Sequence, residues 1–354
     1  MKIKRIIAIS AIVTASILVL LAASAGTFYY ILIQKPSVKF LLANSGFREP
    51  VNYTKKEIVM DVKGEKVPVV VYRHKTAKSD KYFMLQHGLT PQGHRHPRID
   101  RFAASICDST GMNVLIPFVK GSIQGGSLVK TYDNMADIYT VLAREFPGKY
   151  RAFGACIGAN ILLVALNRVP DDIYPEKIFM LGPFFDGKTL FEFYNRMAKP
   201  EDLDIMVKMA ITLNMDIFSE KEKDLIRKAI AASKPGTTDR SEMKKILGDR
   251  LFSDIAVVKL HHRDFENINP GTMFGKNRAR CKFFILHSKT DNVIPYFEGK
   301  NLAEFMKKSG ISTRFLGTEY VEHAQNQASV TGFLKEMKYL IRFFDELFEG
   351  DVAI

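Results

Sequence analysis

Hydrophobic and polar positions divide the chain into an apolar opening run followed by a long stretch of alternating element patterns. After Lys2, Lys4 and Arg5, no charged residue occurs from Ile6 to Ile33, and the next is Lys35. A membrane-spanning helix needs about 20 mostly apolar residues, so this run predicts one. The basic residues ahead of it predict a cytoplasmic amino terminus, with Phe28-Tyr29-Tyr30 at the far interface. Ala23-Ser24-Ala25 before Gly26 has the small-x-small form that a signal peptidase accepts. Segment 1–34 therefore reads as an uncleaved anchor or a cleaved signal. Continuation of the run to Ile33 favours the anchor, giving a single-pass membrane protein whose bulk lies on the non-cytoplasmic side. Cleavage would make it secreted or periplasmic.

Residues 35–56, with Pro36, Gly46 and Pro50, read as a polar linker. Two antiparallel strands are then predicted, Glu57 to Val62 and Val67 to His74, with a third at Tyr82 to Gln86. Helix and strand patterns alternate from there: a helix over Ile99 to Ser109, a strand over Met112 to Phe118, a helix over Asn134 to Glu145. A strand over Tyr150 to Phe153 is followed by a helix over Ala159 to Leu166 and a strand over Lys177 to Leu181. The rhythm resumes with a strand over Cys281 to His287, a helix over Phe297 to Lys308, a strand over Thr313 to Leu316 and a closing helix over Phe333 to Phe348. Such alternation predicts an α/β domain over 57–354, a mostly parallel sheet with helices on both faces. Between Phe184 and Gly275 the strand signal lapses into helical patterns at Thr189 to Met197, Leu203 to Asn214, Glu220 to Ala232 and Arg240 to Leu247. Residues 187–276 are accordingly expected to form a helical cap inserted in the domain, its stripe Leu203, Met206, Val207, Ala210 and Leu213 facing core or active site.

Composition narrows the function classes. The 354 residues, 47% hydrophobic and 25% charged, suffice for one large folded domain. The net charge of +13 comes from basic residues spread among acidic ones, as in Glu220-Lys221-Glu222-Lys223-Asp224, without any nucleic-acid-binding signature. No nucleic-acid partner is expected; an anionic lipid surface remains compatible. Cys107, Cys156 and Cys281 match no zinc or redox spacing, and Cys107 and Cys281 fall within predicted elements as small core residues. His94-Arg95-His96 and His261-His262 lack partners at ligand spacing, so no metal is expected, and no other cofactor is implied. Lys120, Arg98 and Arg101 read as solvated or structural.

Cys156 stands apart. It lies in Gly154-Ala155-Cys156-Ile157-Gly158, between the strand ending at Phe153 and the helix beginning at Ala159. Glycines two positions before and after a reactive side chain let strand and helix approach closely around a strained turn. This stretch resembles the nucleophile elbow of the α/β-hydrolase family, G-x-S-x-G, with a thiol for the hydroxyl. A cysteine nucleophile occurs in the dienelactone hydrolases, from which only the nucleophile type carries over.

The resemblance extends over about Glu57 to Phe348, apart from the cap, and implies roles for further residues in the family's chain order. Asp291, in Ser288-Lys289-Thr290-Asp291-Asn292, resembles the acid loop; Asp186, after the preceding strand, is the second candidate for that role. His323, in Glu322-His323-Ala324-Gln325, resembles the histidine loop. His87-Gly88-Leu89 resembles the oxyanion turn, making the main-chain N–H groups of Leu89 and Ile157 the oxyanion donors and the His87 ring a brace. Gly121-Ser122 and Gly125-Gly126-Ser127 resemble the glycine-containing loop beside the site. These residues imply hydrolysis of carboxylic esters or thioesters by a Cys156–His323–Asp291 triad. The anchor and apolar cap stripe point to an acyl or lipid-like small-molecule substrate. Two other classes stay open: a silent hydrolase-fold binding protein, in which cysteine marks a lost serine, and an acyltransferase.

Overall fold

The structure, a computed structural model, describes residues 33–88, 93–119, 128–190, 193, 219–232, 245–248, 268–274, 281–291, 293–322, 325–326 and 330–349. An eight-stranded sheet is its frame. The strands are β1 (Tyr53–Val62), β2 (Glu65–His74), β3 (Lys81–Gln86), β4 (Asn113–Pro117), β5 (Lys149–Ala155), β6 (Lys177–Leu181), β7 (Lys282–Ser288) and β8 (Thr313–Thr318). Their spatial order is β1-β2-β4-β3-β5-β6-β7-β8. β1 pairs antiparallel with β2 and β2 antiparallel with β4; every pair from β4 to β8 is parallel. The central strands β3, β4 and β5 are buried along almost their whole length, because helices cover both faces. The antiparallel edge strand β1 is exposed over Thr54–Glu57, where lysines discourage edge pairing with other chains.

The longer helices among the described residues are α1 (Pro36–Asn44), α2 (Pro97–Thr110), α3 (Leu128–Glu145), α4 (Ile157–Leu166), α5 (Glu220–Ala232), α6 (Tyr296–Lys308) and α7 (Val330–Phe348). Local chemistry sets their ends. Before α2, the His96 ring accepts the N–H of Arg98, Pro97 occupies the first turn, and Gly111 at φ 72° closes the helix. α4 is buried on every side, from Ile157 to Leu166, as its uninterrupted apolar sequence requires. α7 turns Leu340, Phe343, Phe344, Leu347 and Phe348 inward at helical spacing. Two apolar layers result. One packs α3, α4 and α6 against the sheet around Tyr139, Ile161, Phe283 and Leu302; the other packs α1, α2 and α7 around Phe40, Ile106, Phe179 and Phe343.

The expected linker is the clearest departure from the sequence reading. Within residues 35–56, α1 is a helix with Val38, Phe40, Leu41 and Ala43 buried against α2 and α7. The Phe40 ring meets Phe102 edge-on at 5.4 Å and Phe344 at 4.7 Å. At nine residues α1 is too short to be stable alone; this packing, rather than propensity, makes it a helix. Lys35 and Ser37 both bond Asp345 of α7, at 3.0 and 2.5 Å.

Between β6 and β7 the described residues contain no strand, and α5 coincides with the expected helix Glu220 to Ala232. The stripe from Leu203 to Leu213 lies outside the described residues, as does the apolar run before Ile33. Among the described residues no helix is long and apolar enough to cross a membrane.

Candidate active site

β5 ends at Ala155 and α4 begins at Ile157, leaving Cys156 alone to make the turn. Its backbone sits at φ 54°, ψ −139°, a conformation that costs a side-chain-bearing residue about 1–3 kcal/mol. Two hydrogen bonds hold it there: the Cys156 N–H donates to Leu181 O at 2.8 Å, and Cys156 O accepts the N–H of Ala159 at 2.9 Å. The flanking glycines are demanded by close approach. A β-carbon on Gly154 would stand 2.3 Å from Cα of Ala159, and one on Gly158 would stand 2.2 Å from the His87 carbonyl oxygen. The side chain at the apex is partly exposed, whereas Cys107 and Cys281 are buried. Burial pushes the Cys107 thiol up to about 12 and raises that of Cys281 as well. Cys156 sits at the amino end of α4. As the first residue of that helix, Ile157 has a main-chain N–H with no carbonyl to meet within it.

The turn after β3 presses directly on this elbow. A β-carbon on Gly88 would lie 2.9 Å from Ala155 O and 3.2 Å from Cβ of Cys156. The His87 ring is fully buried, and its Nδ1–H donates to Gly88 O at 2.8 Å. Burial pushes that imidazole down to about 4, so it is neutral and braces the turn. Leu89, the second expected oxyanion donor, lies outside the described residues.

Past β7, the chain turns so that Asp291 Oδ1 accepts the N–H groups of both Val293 and Ile294 at 2.9 Å. Its Oδ2 faces Gly182 at the end of β6, within 3.5 Å of where a β-carbon there would be, and lies 3.8 Å from Nε2 of His287. The His287 Nε2–H donates to Ile294 O at 2.8 Å, tying the acid loop to its strand. β6 alone separates β5 from β7, so the turn at Cys156 and the loop carrying Asp291 follow strands two places apart in the sheet. Asp186 is employed differently: its Oδ1 accepts the N–H groups of Lys188 and Thr189 at the start of a helical turn.

No protein-family model and no curated protein sequence matches the chain. Solved structures do. A thermostable esterase from Pseudomonas putida superposes with a TM-score of 0.53 at 13% identity, covering 87% of each chain. Carboxyl esterase 2 from Tuber melanosporum gives 0.51 at 14% identity over 85% of this chain and 87% of its own. An acylaminoacyl peptidase from Pyrococcus horikoshii gives 0.51 at 12% identity over 84% of this chain and 42% of its own. The fold is that of the α/β-hydrolases.

Within this α/β-hydrolase fold, Cys156 opens onto a cavity of about 500 Å³, a size typical of small-molecule sites. Phe102, Phe153, Phe179, Leu286, Leu340 and Phe344 give it an apolar interior, and Phe40 and Leu41 of α1 form one wall. Asn44, Ser45, His96 and Arg98 add polar groups to its lining. Val321 lines the same cavity and belongs to a two-residue strand, β9 (Val321–Glu322), that pairs with β10 (Gln325–Asn326). The chain thus reaches the cavity two positions before His323, which itself lies outside the described residues.

The other residues singled out in the sequence are placed as follows. Arg101 is structural: its guanidinium donates to the Ala43 and Arg48 carbonyls and pairs with Glu49, fastening α1 to α2. His94 is buried 3.8 Å from Glu57, and His96 caps α2; among the described residues no group of three or more His, Cys, Asp or Glu is placed to hold a metal. His261-His262, Lys120, Gly121-Ser122, Gly125-Gly126-Ser127 and Asn292 lie outside the described residues.

Two supporting residues of this candidate site escape the sequence reading. Asn160, fully buried in α4, donates from Nδ2 to Phe184 O at 2.7 Å and accepts the Phe184 N–H at 3.2 Å, joining the elbow helix to the segment after β6. Its signal is a lone amide in an apolar run. Glu298, fully buried in α6, accepts the N–H groups of Phe185 and Asp186 and the hydroxyl of Thr189. Burial pushes its carboxyl up, against the pull of those hydrogen bonds. Nothing local in the sequence marks it.

Proposed function

We propose that this protein is a membrane-tethered hydrolase that cleaves carboxylic esters or thioesters with an acyl or lipid-like acid part, using Cys156, His323 and Asp291. The observation that carries the reading is the backbone of Cys156, held at φ 54° between two glycines that no larger residue could replace without displacing main chain. Strain of this kind persists where a side chain must be presented, and here it presents a thiol to an apolar cavity. The esterases and the peptidase that share the fold cleave acyl bonds, which supports the same reaction class here.

In this reading His323 takes the thiol proton as the sulfur attacks the acyl carbonyl, forming the carbon–sulfur bond. The N–H groups of Ile157 and Leu89 receive the oxyanion. Collapse of the tetrahedral intermediate breaks the bond to the alcohol or thiol, which leaves with the proton from His323. Water, deprotonated by His323, then attacks the thioester, and the acid leaves as the thiol is restored. Asp291 orients the imidazole. Two main-chain N–H groups already fix its carboxylate. The uncharged run Ile6 to Ile33 supplies the anchor, with the domain on the non-cytoplasmic side.

A panel of esters and thioesters assayed on wild type, Cys156→Ser and Cys156→Ala tests this. Turnover by the wild type that disappears in the alanine variant is expected. Activity surviving in that variant would remove the mechanism, and an inert wild type with an unreactive Cys156 would favour the silent binding protein.

A further inference from the structure

From residue 33, where the described chain begins, no linker intervenes before the cavity wall. Residues 33 and 34 are helical, Lys35 makes a single bend, and α1 begins at Pro36. That bend is pinned to the body of the domain: the Lys35 ammonium pairs with Asp345 Oδ2 at 3.0 Å, and the Ser37 hydroxyl donates to Asp345 Oδ1 at 2.5 Å. α1 itself is one wall of the Cys156 cavity, through Phe40, Leu41 and Asn44. At 1.5 Å per residue, those three stand about 8–14 Å along the helix from Lys35. The headgroup layer outside the hydrocarbon is roughly 5–8 Å thick on each side, so a span ending at Ile33 brings this wall up against it. Just beyond α1, Phe47 and Val51 leave half or more of their surface exposed, at 50% and 56%. Aromatic and apolar side chains beside a membrane-proximal helix suit that layer.

We infer that α1, locked to Asp345, holds the Cys156 cavity at the bilayer surface, and that the substrate is an acyl ester or thioester resident in the bilayer. Its chain passes into the cavity alongside α1. The cavity's apolar interior of Phe102, Phe153, Phe179, Leu286, Leu340 and Phe344 suits such a chain. This inference rests on both the hydrolase and the anchor readings.

The test uses the full chain in phosphatidylcholine vesicles with two fluorogenic substrates: a bilayer-embedded palmitoyl ester and the water-soluble acetate ester of the same alcohol. Twelve Gly-Ser residues are inserted between Gln34 and Lys35, which leaves the Asp345 contacts in place but adds about 19 Å of flexible reach. Turnover of the palmitoyl ester is expected to fall about tenfold, and that of the acetate ester to stay unchanged, which also reports that the variant is folded. Asp345→Ala should reproduce the split more weakly. Equal retention of both activities in the spacer variant would overturn the inference while leaving the hydrolase reading intact. A wild type that fails to sediment with the vesicles yet cleaves the acetate ester would remove the anchor and the inference with it. A wild type that sediments with the vesicles but cleaves neither ester would remove the hydrolase reading and, with it, the inference.

Discussion

Replacing Cys156 by glycine should make the protein more stable than replacing it by alanine, the reverse of the usual order. At φ 54°, ψ −139° any residue with a β-carbon is strained by about 1–3 kcal/mol, and glycine is not. Glycine's extra freedom in the unfolded chain costs about 0.5–1 kcal/mol relative to alanine. Taking ~2 kcal/mol of relieved strain against ~0.7 of entropy leaves about 1 kcal/mol in favour of glycine. The hydrogen bonds that set the turn, Cys156 N–H to Leu181 O and Ala159 N–H to Cys156 O, are main-chain and survive in both variants. Loss of thiol burial is common to both as well, so the Gly–Ala difference isolates the backbone. Melting curves of the two variants, both inactive, should differ by about 1–2 °C with glycine higher. An alanine variant more stable by 0.5–1 kcal/mol, as at an ordinary unstrained position, would refute the elbow geometry and with it the argument that the thiol is presented by strain.

Gly158→Ala would set a β-carbon 2.2 Å from the His87 carbonyl oxygen, a main-chain atom; it should cost about 1–3 kcal/mol in urea unfolding and lower kcat/KM by about ten- to a hundredfold as the oxyanion turn shifts. Iodoacetamide at neutral pH should modify one thiol per native chain and three after denaturation, with peptide mass spectrometry placing the native label on Cys156; a label on Cys107 or Cys281, both buried with raised thiols, would contradict the packing. His87, held down to about 4 from 6.5 by burial, binds its proton in the unfolded chain first, so stability present above pH 6.5 should be lost as pH falls toward 4, by up to about 3 kcal/mol. Urea midpoints measured from pH 7 to 4.5 should show that loss shrinking in His87→Gln; an unchanged slope would mean the ring is solvated. Asp291→Asn keeps an oxygen for the Val293 and Ile294 N–H groups, so its melting temperature should move little while ester turnover falls about a hundredfold; full activity would return the acid role to another carboxylate.

The amino-acid sequence alone determined those features whose free energy is local. Alternating strand and helix periods predict every strand from β1 to β8 and the longer helices between them in order, because each pattern is set by which side of its own strand or helix must leave water. The elbow was legible for the same reason, since two glycines around Cys156 are a steric demand expressed within five residues. Tertiary structure decided what depends on convergence. Nothing within Pro36 to Asn44 requires a helix; α1 exists because Phe40 finds Phe102 and Phe344, and because Asp345, 310 positions from Lys35, fastens its start. The cavity draws its walls from α1, α2, β5, β6, β7 and α7, and Glu298 and Asn160 owe their burial to partners 109 to 113 and 24 positions away. Periodicity records how each segment divides its surface between solvent and core; which distant segments then meet is settled only when loops close and side chains pack.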